Sequence, residues 1–523
     1  MTDAAVPVSP GILKHLEQNP AALRGLRRGI EKESLRVRPD GSLSLRPHPP
    51  YLGSALAHPN ITTDFSEAQL ELITDVHESP EGALRQLEDV HRFVYRGIVE
   101  ELLWTASMPC LLPAEDDIPV GRYGTSNIGR AKTVYRLGLG HRYGRVMQTI
   151  SGIHYNFSMP DAFWPVLAEA LGAEPGQALR TRQYFALIRN FRRFSWLLIY
   201  LFGASPVLCK SFVKGRAHRL QSFDEGSLYL PFATSLRMGR LGYQSDAQSA
   251  LHISYNCLDS YAATMRDALT RPYPPYEKIG VKVNGEYRQL STSLLQIENE
   301  FYGTIRPKQP VGPNERPIKA LVERGVEYVE VRCLDLNPFL HVGIDVPQMR
   351  FLDTFLLYCM LAPSPDDSEA ESRMIGANQL RVVEEGRRPD LTLERAGGSV
   401  SRAAWAEEIL DGCRPIAELL DRAYGSIDYT RAWREQRRKA EEPDLTPSAR
   451  MLAIMAQQGI PFFRFAMNQS IAHKGYFDEH PLLPDQLAAF EAQARESLAE
   501  QARIEAADDV PFDTFLERYL TLS

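Results

Sequence analysis

The chain has 523 residues, enough for several domains or one large fold with appendages. Its 44% hydrophobic and 24% charged residues exclude collagen-like, mucin-like and wholly disordered chains. The 59 Lys and Arg against 66 Asp and Glu leave a formal charge of −7, which removes the expectation of a basic nucleic-acid surface.

In chain order, the first 25 residues mix acids and prolines without an unbroken apolar run, so no signal peptide is predicted and a cytoplasmic protein is expected. Residues 28–38 (RGIEKESLRVR) alternate with a period of two, and Pro39, Asp40 and Gly41 supply a turn before SLSL, a hairpin pattern. ITTDFSEAQLELIT, residues 61–74, reads the same way. Ser79 and Pro80 then form an N-cap and first turn for a helix with Leu84, Leu87, Val90, Val94, Ile98 and Leu102 on one stripe.

Met147 to Met159 reads as a strand, and residues 161–172 and 181–202 read as helices. The most apolar stretch, Phe194 to Cys209, is broken by Ser195, Gly203, Ser205 and Pro206. It is also shorter than the ~20 residues needed to cross a bilayer, so it is assigned to the core. Asn284 and Gly285 mark a tight hairpin. Leu294 to Arg306 and Val326 to Leu334 are two more predicted strands.

At least seven strands without regular strand-helix alternation predict an α+β fold, a largely antiparallel sheet flanked by helices. From Val346 the period is almost entirely helical, dividing the chain into a catalytic region, 1–345, and a helical region, 346–523, packed on it. The Ala-, Glu- and Gln-rich tail from Leu483 to Asp508 reads as a solvated helix with no catalytic role. Cys110, Cys209, Cys257, Cys333, Cys359 and Cys413 include no CxxC pair and read as reduced, mostly buried thiols.

No Gly-Lys dipeptide, HExxH or GxSxG occurs, so a P-loop, a zincin helix and a nucleophile elbow are absent. Gly138, Gly140 and Gly144 miss the GxGxxG spacing by one residue and follow no strand. What remains is a set of acidic residues on strand-like segments, where alternation fixes which side chains share a face. Glu31 and Glu33 share one, as do His154 and Asn156, and Glu330 and Arg332; Asp64 and Glu71 sit singly among apolar neighbours.

Carboxylates inside apolar strands are costly to bury unless they are paired or bind a metal. Four or five of them with one imidazole and no thiolate suit Mg2+ or Mn2+, and interleaved arginines suit phosphate. Without a P-loop, this points to ATP used by a sheet-based ligase. Glu31 and Glu33 also fit the solvated side of an edge strand, His154 a satisfied core histidine, and Glu330 with Arg332 a structural ion pair.

At these same residues the sequence resembles the glutamate-cysteine ligase (gamma-glutamylcysteine synthetase) family in its proteobacterial form. The stretches that carry the resemblance are RRGIEKESLRV, ITTDFSEAQLELIT, YGTSNIGRAKTVYRLGLGHRYGRVMQTISGIHYNFSMP, YLFGASPVLCKSF, LQIENEFYGTIRPK and GVEYVEVRCLDLNPF, between about Arg24 and Phe351. The resemblance implies a glutamine-synthetase-like, curved, mostly antiparallel half-barrel sheet. It also implies ATP-dependent joining of the L-glutamate gamma-carboxylate to the amino group of L-cysteine through gamma-glutamyl phosphate, with Mg2+ (or Mn2+) as cofactor.

Carried over by position, Glu31, Glu33, Asp64, Glu71, His154 and Glu330 are the implied metal ligands, and Arg332, with Glu330, is the implied catalytic pair facing phosphate. Phe65, Tyr135, Leu139, Gln148, Arg237, Tyr243 and Tyr302 are the implied cysteine pocket. Lys32, Ser34 and Phe301 stand where relatives often have Arg, Thr and Leu; Lys32 and Ser34 face away from the ligands. The expected partners are small molecules alone, with no nucleic acid or membrane, acting on a monomer. A relative using another amine, and a non-catalytic glutamate or nucleotide sensor, are the alternatives.

Overall fold

A computed structural model of the chain describes residues 7–242, 246–249, 251–312 and 314–521. The β-alternation read from the sequence produces one seven-stranded sheet: β1 (Arg27–Val37), β2 (Ile61–Thr63), β3 (Gln69–Ile73), β4 (Leu102–Leu103), β5 (Ile153–Ser158), β6 (Ile305–Lys308) and β7 (Tyr328–Leu334). Six follow the order β6-β7-β5-β1-β3-β2, and β4 pairs with the far end of β1. Every pairing is antiparallel. The α+β class with helices flanking an antiparallel sheet is therefore the observed one.

Alternation separates two chemistries across this sheet. One face carries Ile30, Leu70, Leu72, Tyr155, Phe157, Val329 and Val331, all fully buried. These join the helices Pro80–Gly97, Gln177–Phe194, Trp196–Phe202 and Val346–Leu361 in one apolar core. Ser79 caps the first of these by accepting from Gly82 N, as its sequence signal requires. The helix Val346–Leu361 is buried on every side, because Gln177–Phe194, Arg402–Tyr424 and Asp428–Glu441 all pack on it. No helix among the described residues is long and apolar enough to cross a membrane.

A buried polar clamp fastens that helix to the sheet. Arg28 Nη2 donates to Asp353 Oδ2 at 2.9 Å, and Tyr155 Oη donates to Asp353 Oδ1 at 2.7 Å. Both charged side chains are fully out of solvent.

Four local expectations are corrected. Residues 294–304 are not strand; only Ile305–Lys308 is. Glu298 and Glu300 are drawn inward to Arg316 and Arg142, ion pairs from distant segments that override alternation. The strand expected from Met147 begins at Ile153, after a 3₁₀ turn at Met147–Thr149. The region after Val346 is interrupted by a hairpin, Thr392–Arg395 with Gly398–Ser401, turned by Gly397 and Gly398 at φ 92° and 139°. Finally, Cys110 and Cys209 are not free thiols but form a disulfide across 99 residues, their Cα atoms 5.5 Å apart. Cys333, Cys359 and Cys413 are free and buried, and Cys257 is free and exposed.

Removing Asp353 strands a buried guanidinium. Asp353→Ala is expected to destabilise the protein by about 3–5 kcal/mol, read as a lowered urea midpoint; a midpoint within error of the parent would show that the clamp contributes nothing.

Candidate active site

The other face of the sheet is acidic, and the register accounts for how its residues meet. Glu31 lies directly across from His154, and Glu33 directly across from Glu71. Glu330 lies across from Asn156 on one side and Arg306 on the other. Opposed residues in antiparallel strands have Cβ atoms roughly 4.5–5.5 Å apart, so the pairing alone concentrates the carboxylates.

His154 is the hub. Its Nδ1 is 3.1 Å from Glu31 Oε2 and 4.0 Å from Glu330 Oε1, and its Nε2 is 3.5 Å from Glu33 Oε1. Two groups, Glu31–His154–Glu330 and Glu33–Glu71–His154, each bring ligand atoms within 4.8 Å of one another. The buried Nε2 has no hydrogen-bond partner. Asp64 lines the same cleft.

Electrostatics divides these acids into two kinds. Burial, the largest influence, and repulsion from Glu330 disfavour the charge on Glu31, but the hydrogen bond with His154 and the charges of His154 and Lys308 together hold the carboxyl below its usual range. Glu31 Oε1 also accepts from Asn156 Nδ2 at 2.8 Å. Glu330 is held well below its usual range in spite of burial, because Lys308, Arg332, His154 and Arg306 surround it. Lys308 Nζ is 3.1 Å and Arg306 Nη1 3.7 Å from its carboxylate, and Arg332 Nη1 donates to it at 3.2 Å.

Glu33 is the opposite case. Burial, then repulsion from Asp64, push it up to about 8, although its Oε2 accepts from Gly152 N at 2.7 Å. Glu71 is pushed well above its usual range by burial and then by Glu31, Asp64 and Glu33. An orphaned imidazole nitrogen beside carboxylates that repel one another fits a divalent cation, and mostly oxygen donors suit a hard one.

The cleft these groups line has a volume of about 390 Å³. The helix Asn127–Tyr143 forms its opposite wall and presents Ile128, Ala131, Lys132, Tyr135, Arg136 and Leu139, one face at three-to-four spacing. Of the implied cysteine pocket, Phe65, Tyr135, Leu139, Gln148 and Tyr302 line the cleft, and Gln148 Nε2 donates to Tyr302 Oη at 3.0 Å.

Arg237 does not line the cleft but is fully buried beside β5 and β7, donating to the Arg332 carbonyl at 3.1 Å and lying 3.7 Å from Asp335. A Cβ on Gly152 would come within 2.0 Å of its guanidinium, so Gly152 is what lets Arg237 approach. Tyr243 lies outside the described residues. Lys132, Arg136, Arg306 and Lys308 were missed in the sequence, although Arg306 and Lys308 alternate on the same strand face.

Comparison with known proteins follows the same lines. A family profile described as glutamate-cysteine ligase matches residues 13–382. A glutamate-cysteine ligase of Pseudomonas entomophila is 53% identical over 492 residues, 94% of this chain and 93% of that one. One of Azotobacter vinelandii is 53% identical over 505 residues, 96% of this chain and 95% of that one. The crystal structure of the glutamate-cysteine ligase of Francisella tularensis in complex with AMP superimposes with a TM-score of 0.90 at 35% identity, covering 95% of this chain and 97% of that one. The structure of a bifunctional glutathione synthetase from Pasteurella multocida shares the fold, with a TM-score of 0.71 at 23% identity, covering 92% of this chain and 58% of that one.

Raised carboxylates hold protons that a bound cation must displace. The Mn2+ affinity of the nucleotide-free protein, followed by electron paramagnetic resonance, is expected to climb as pH rises towards 8 and to flatten above it. The slope is about tenfold per pH unit for each proton displaced. A flat profile between pH 6 and 8 would show that Glu33 and Glu71 do not take part.

Proposed function

The chain belongs to the glutamate-cysteine ligase family, and from that premise we propose how the residues of the acidic cleft divide the work. The enzyme joins the gamma-carboxylate of L-glutamate to the amino group of L-cysteine while ATP is cleaved, the first step of glutathione synthesis. A carboxylate is a poor acyl electrophile, so the gamma-phosphoryl group of ATP is first passed to it. The cysteine nitrogen then attacks the acyl carbon of gamma-glutamyl phosphate, the C–O bond to phosphate breaks, and the amine proton is lost.

In this reading Glu31, Glu33, Asp64, Glu71, His154 and Glu330 hold Mg2+, which when bound neutralises the polyphosphate during transfer. Arg332, with Lys308 and Arg306 beside it, faces the phosphates, and these residues supply fixed positive charge where the transferring group carries negative charge. Glu330 orients all three, because each lies within 3.7 Å of its carboxylate. Phe65, Tyr135, Leu139, Gln148 and Tyr302 form a mostly apolar pocket for the small side chain of cysteine. Their apolar surface keeps water from the acyl phosphate, whose hydrolysis would waste ATP.

The observation that carries the reading is the acidic sheet face centred on His154, ringed by cations and enclosed in one cleft with those pocket residues. Glu330→Gln keeps the shape but removes the charge that gathers Lys308, Arg306 and Arg332. ADP release dependent on both amino acids is expected to fall by roughly a hundredfold or more with an unchanged circular dichroism spectrum; full activity would sink this assignment. Tyr302→Phe removes the phenol that Gln148 bonds, and the KM for cysteine is expected to rise roughly two- to tenfold with the KM for ATP unaltered. An unaltered KM for cysteine would move the acceptor elsewhere.

A further inference from the structure

The segment leading into β6 carries Tyr302, and it begins with the 3₁₀ turn Glu298–Glu300, whose two acids are buried. Glu300 Oε1 accepts from Arg142 Nη1 at 2.8 Å and from Tyr143 Oη at 2.7 Å, and its Oε2 accepts from Gln296 N at 2.7 Å. Arg306, whose guanidinium also lies 3.7 Å from Glu330, donates to the Asn299 carbonyl at 2.7 Å and to the Phe301 carbonyl. The turn is thereby tied to the cations of the cleft. With its acids facing inward, it leaves two backbone groups to be paired, the carbonyl of Glu300 and the N–H of Tyr302.

One side chain pairs with both. Gln248, buried in the short helix Asp246–Ser249, donates from Nε2 to the Glu300 carbonyl at 2.9 Å and accepts at Oε1 from Tyr302 N at 2.9 Å. Its other Nε2 proton goes to Tyr143 Oη at 3.0 Å, the phenol that donates to the Glu300 carboxylate. An amide offers a donor and an acceptor side by side, whereas a carboxylate offers acceptors alone and a thioether almost nothing. The Gln248 amide therefore holds this backbone much as a paired strand would. Tyr302 depends on such holding, because it lines both the catalytic cleft and a second cavity of about 650 Å³ bordered by Gln248, Leu251, Tyr255 and Ile375. A ring that faces two cavities is not locked by close packing. Gln148 holds its Oη from within the acceptor pocket, and Gln248, which does not line the cleft, holds its N–H.

We propose that Gln248 is a positioning residue for the amine acceptor: by pairing with the backbone of Glu300 and Tyr302 and with the Tyr143 hydroxyl, it sets where the Tyr302 phenol stands in the pocket for cysteine. The proposal rests on the reading of Phe65, Tyr135, Leu139, Gln148 and Tyr302 as that pocket. Gln248 acts through Tyr302 and touches no substrate itself.

The test uses the full-length enzyme with Gln248→Met, which keeps the side chain's length and removes its hydrogen bonds, and Gln248→Glu, which keeps an acceptor and loses both donors. Each is checked by thermal melting, and if Gln248→Met does not fold, Gln248→Glu decides. Both are expected to raise the KM for cysteine roughly fivefold or more, with the KM for ATP within about twofold of the parent. In a Tyr302→Ala background, where no phenol is left to position, adding Gln248→Met is expected to change the KM for cysteine by less than about twofold. The proposal is overturned if the Gln248 variants leave the KM for cysteine unaltered, if the KM for ATP rises equally, or if the effects of Gln248→Met and Tyr302→Ala multiply. Tyr302→Ala alone separates the two ideas: an unaltered KM for cysteine there would remove the acceptor-pocket reading itself, whereas a raised one beside unaffected Gln248 variants would remove only the role of Gln248.

Discussion

The cost of holding carboxylates side by side and out of water governs this molecule. Antiparallel pairing sets Glu31 against His154 and Glu33 against Glu71, and the flanking strand adds Glu330. Each charge taken from water costs several kcal/mol unless it is answered. Around Glu330 and Glu31 it is answered: three cations surround Glu330, and His154 and Asn156 serve Glu31. Around Glu33 and Glu71 the answer is incomplete: burial and repulsion, from Asp64 on Glu33 and from Glu31, Asp64 and Glu33 on Glu71, outweigh the nearby arginines and the Gly152 N–H, and both carboxyls shift upwards. A fold built only for stability would have completed the pairing or replaced these acids with apolar residues. Incomplete neutralisation leaves a set of donors that could hold a divalent cation, and the cations around Glu330 suit an anion beside it.

Keeping that arrangement requires a sheet that cannot slip. A shift of one residue would turn the acids of β1 into the core and Ile30 and Lys32 into the cleft. The opposite face prevents this. Ile30 packs with Tyr155 and Phe157 in the core, while Lys32, buried without a carboxylate, meets the Nε2 of His91 at 2.7 Å. The clamp from Arg28 through Asp353 to Tyr155 ties two neighbouring strands, β1 and β5, to one buried helix. These two strands carry Glu31, Glu33 and His154, so the clamp fixes the geometry of these side chains from behind.

Alternation made much of this legible. It assigned Glu31 with Glu33, His154 with Asn156, and Glu330 with Arg332 to shared faces, and the strands place them so. It could not say which strands are neighbours, because that depends on long-range pairing; the resemblance to a known family supplied the set. What stayed hidden was set by contacts distant in sequence. Glu298 and Glu300 look like strand residues until Arg316 and Arg142 arrive from elsewhere. Cys110 and Cys209 are 99 residues apart, and nothing local marks them as partners. The hairpin at residues 392–401 lies between long helices, and its Gly397–Gly398 turn was the signal that went unused.

The helix Asn127–Tyr143 shows why the C-terminal region belongs to the same physical unit as the sheet. It lines the cleft with Ile128, Ala131, Lys132, Tyr135, Arg136 and Leu139, spread along the helix at 1.5 Å per residue, so any tilt would displace apolar and cationic lining at once. Its own sequence gives it little reason to stay put: three of its 17 residues are Gly, at positions 129, 138 and 140, and Gly138 and Gly140 weaken the very stretch that flanks Leu139. Gly138 is needed, since a Cβ there would meet the Gln296 amide at 2.2 Å. The compensation comes from outside the helix. Asp508 answers the positive N-terminus, and Phe512 and Leu516 bury Ala131 and Val134. A weak helix that must lie close to another segment is steadied by residues almost 400 positions further along the chain, and Tyr519 of that distant segment joins it in lining the cleft.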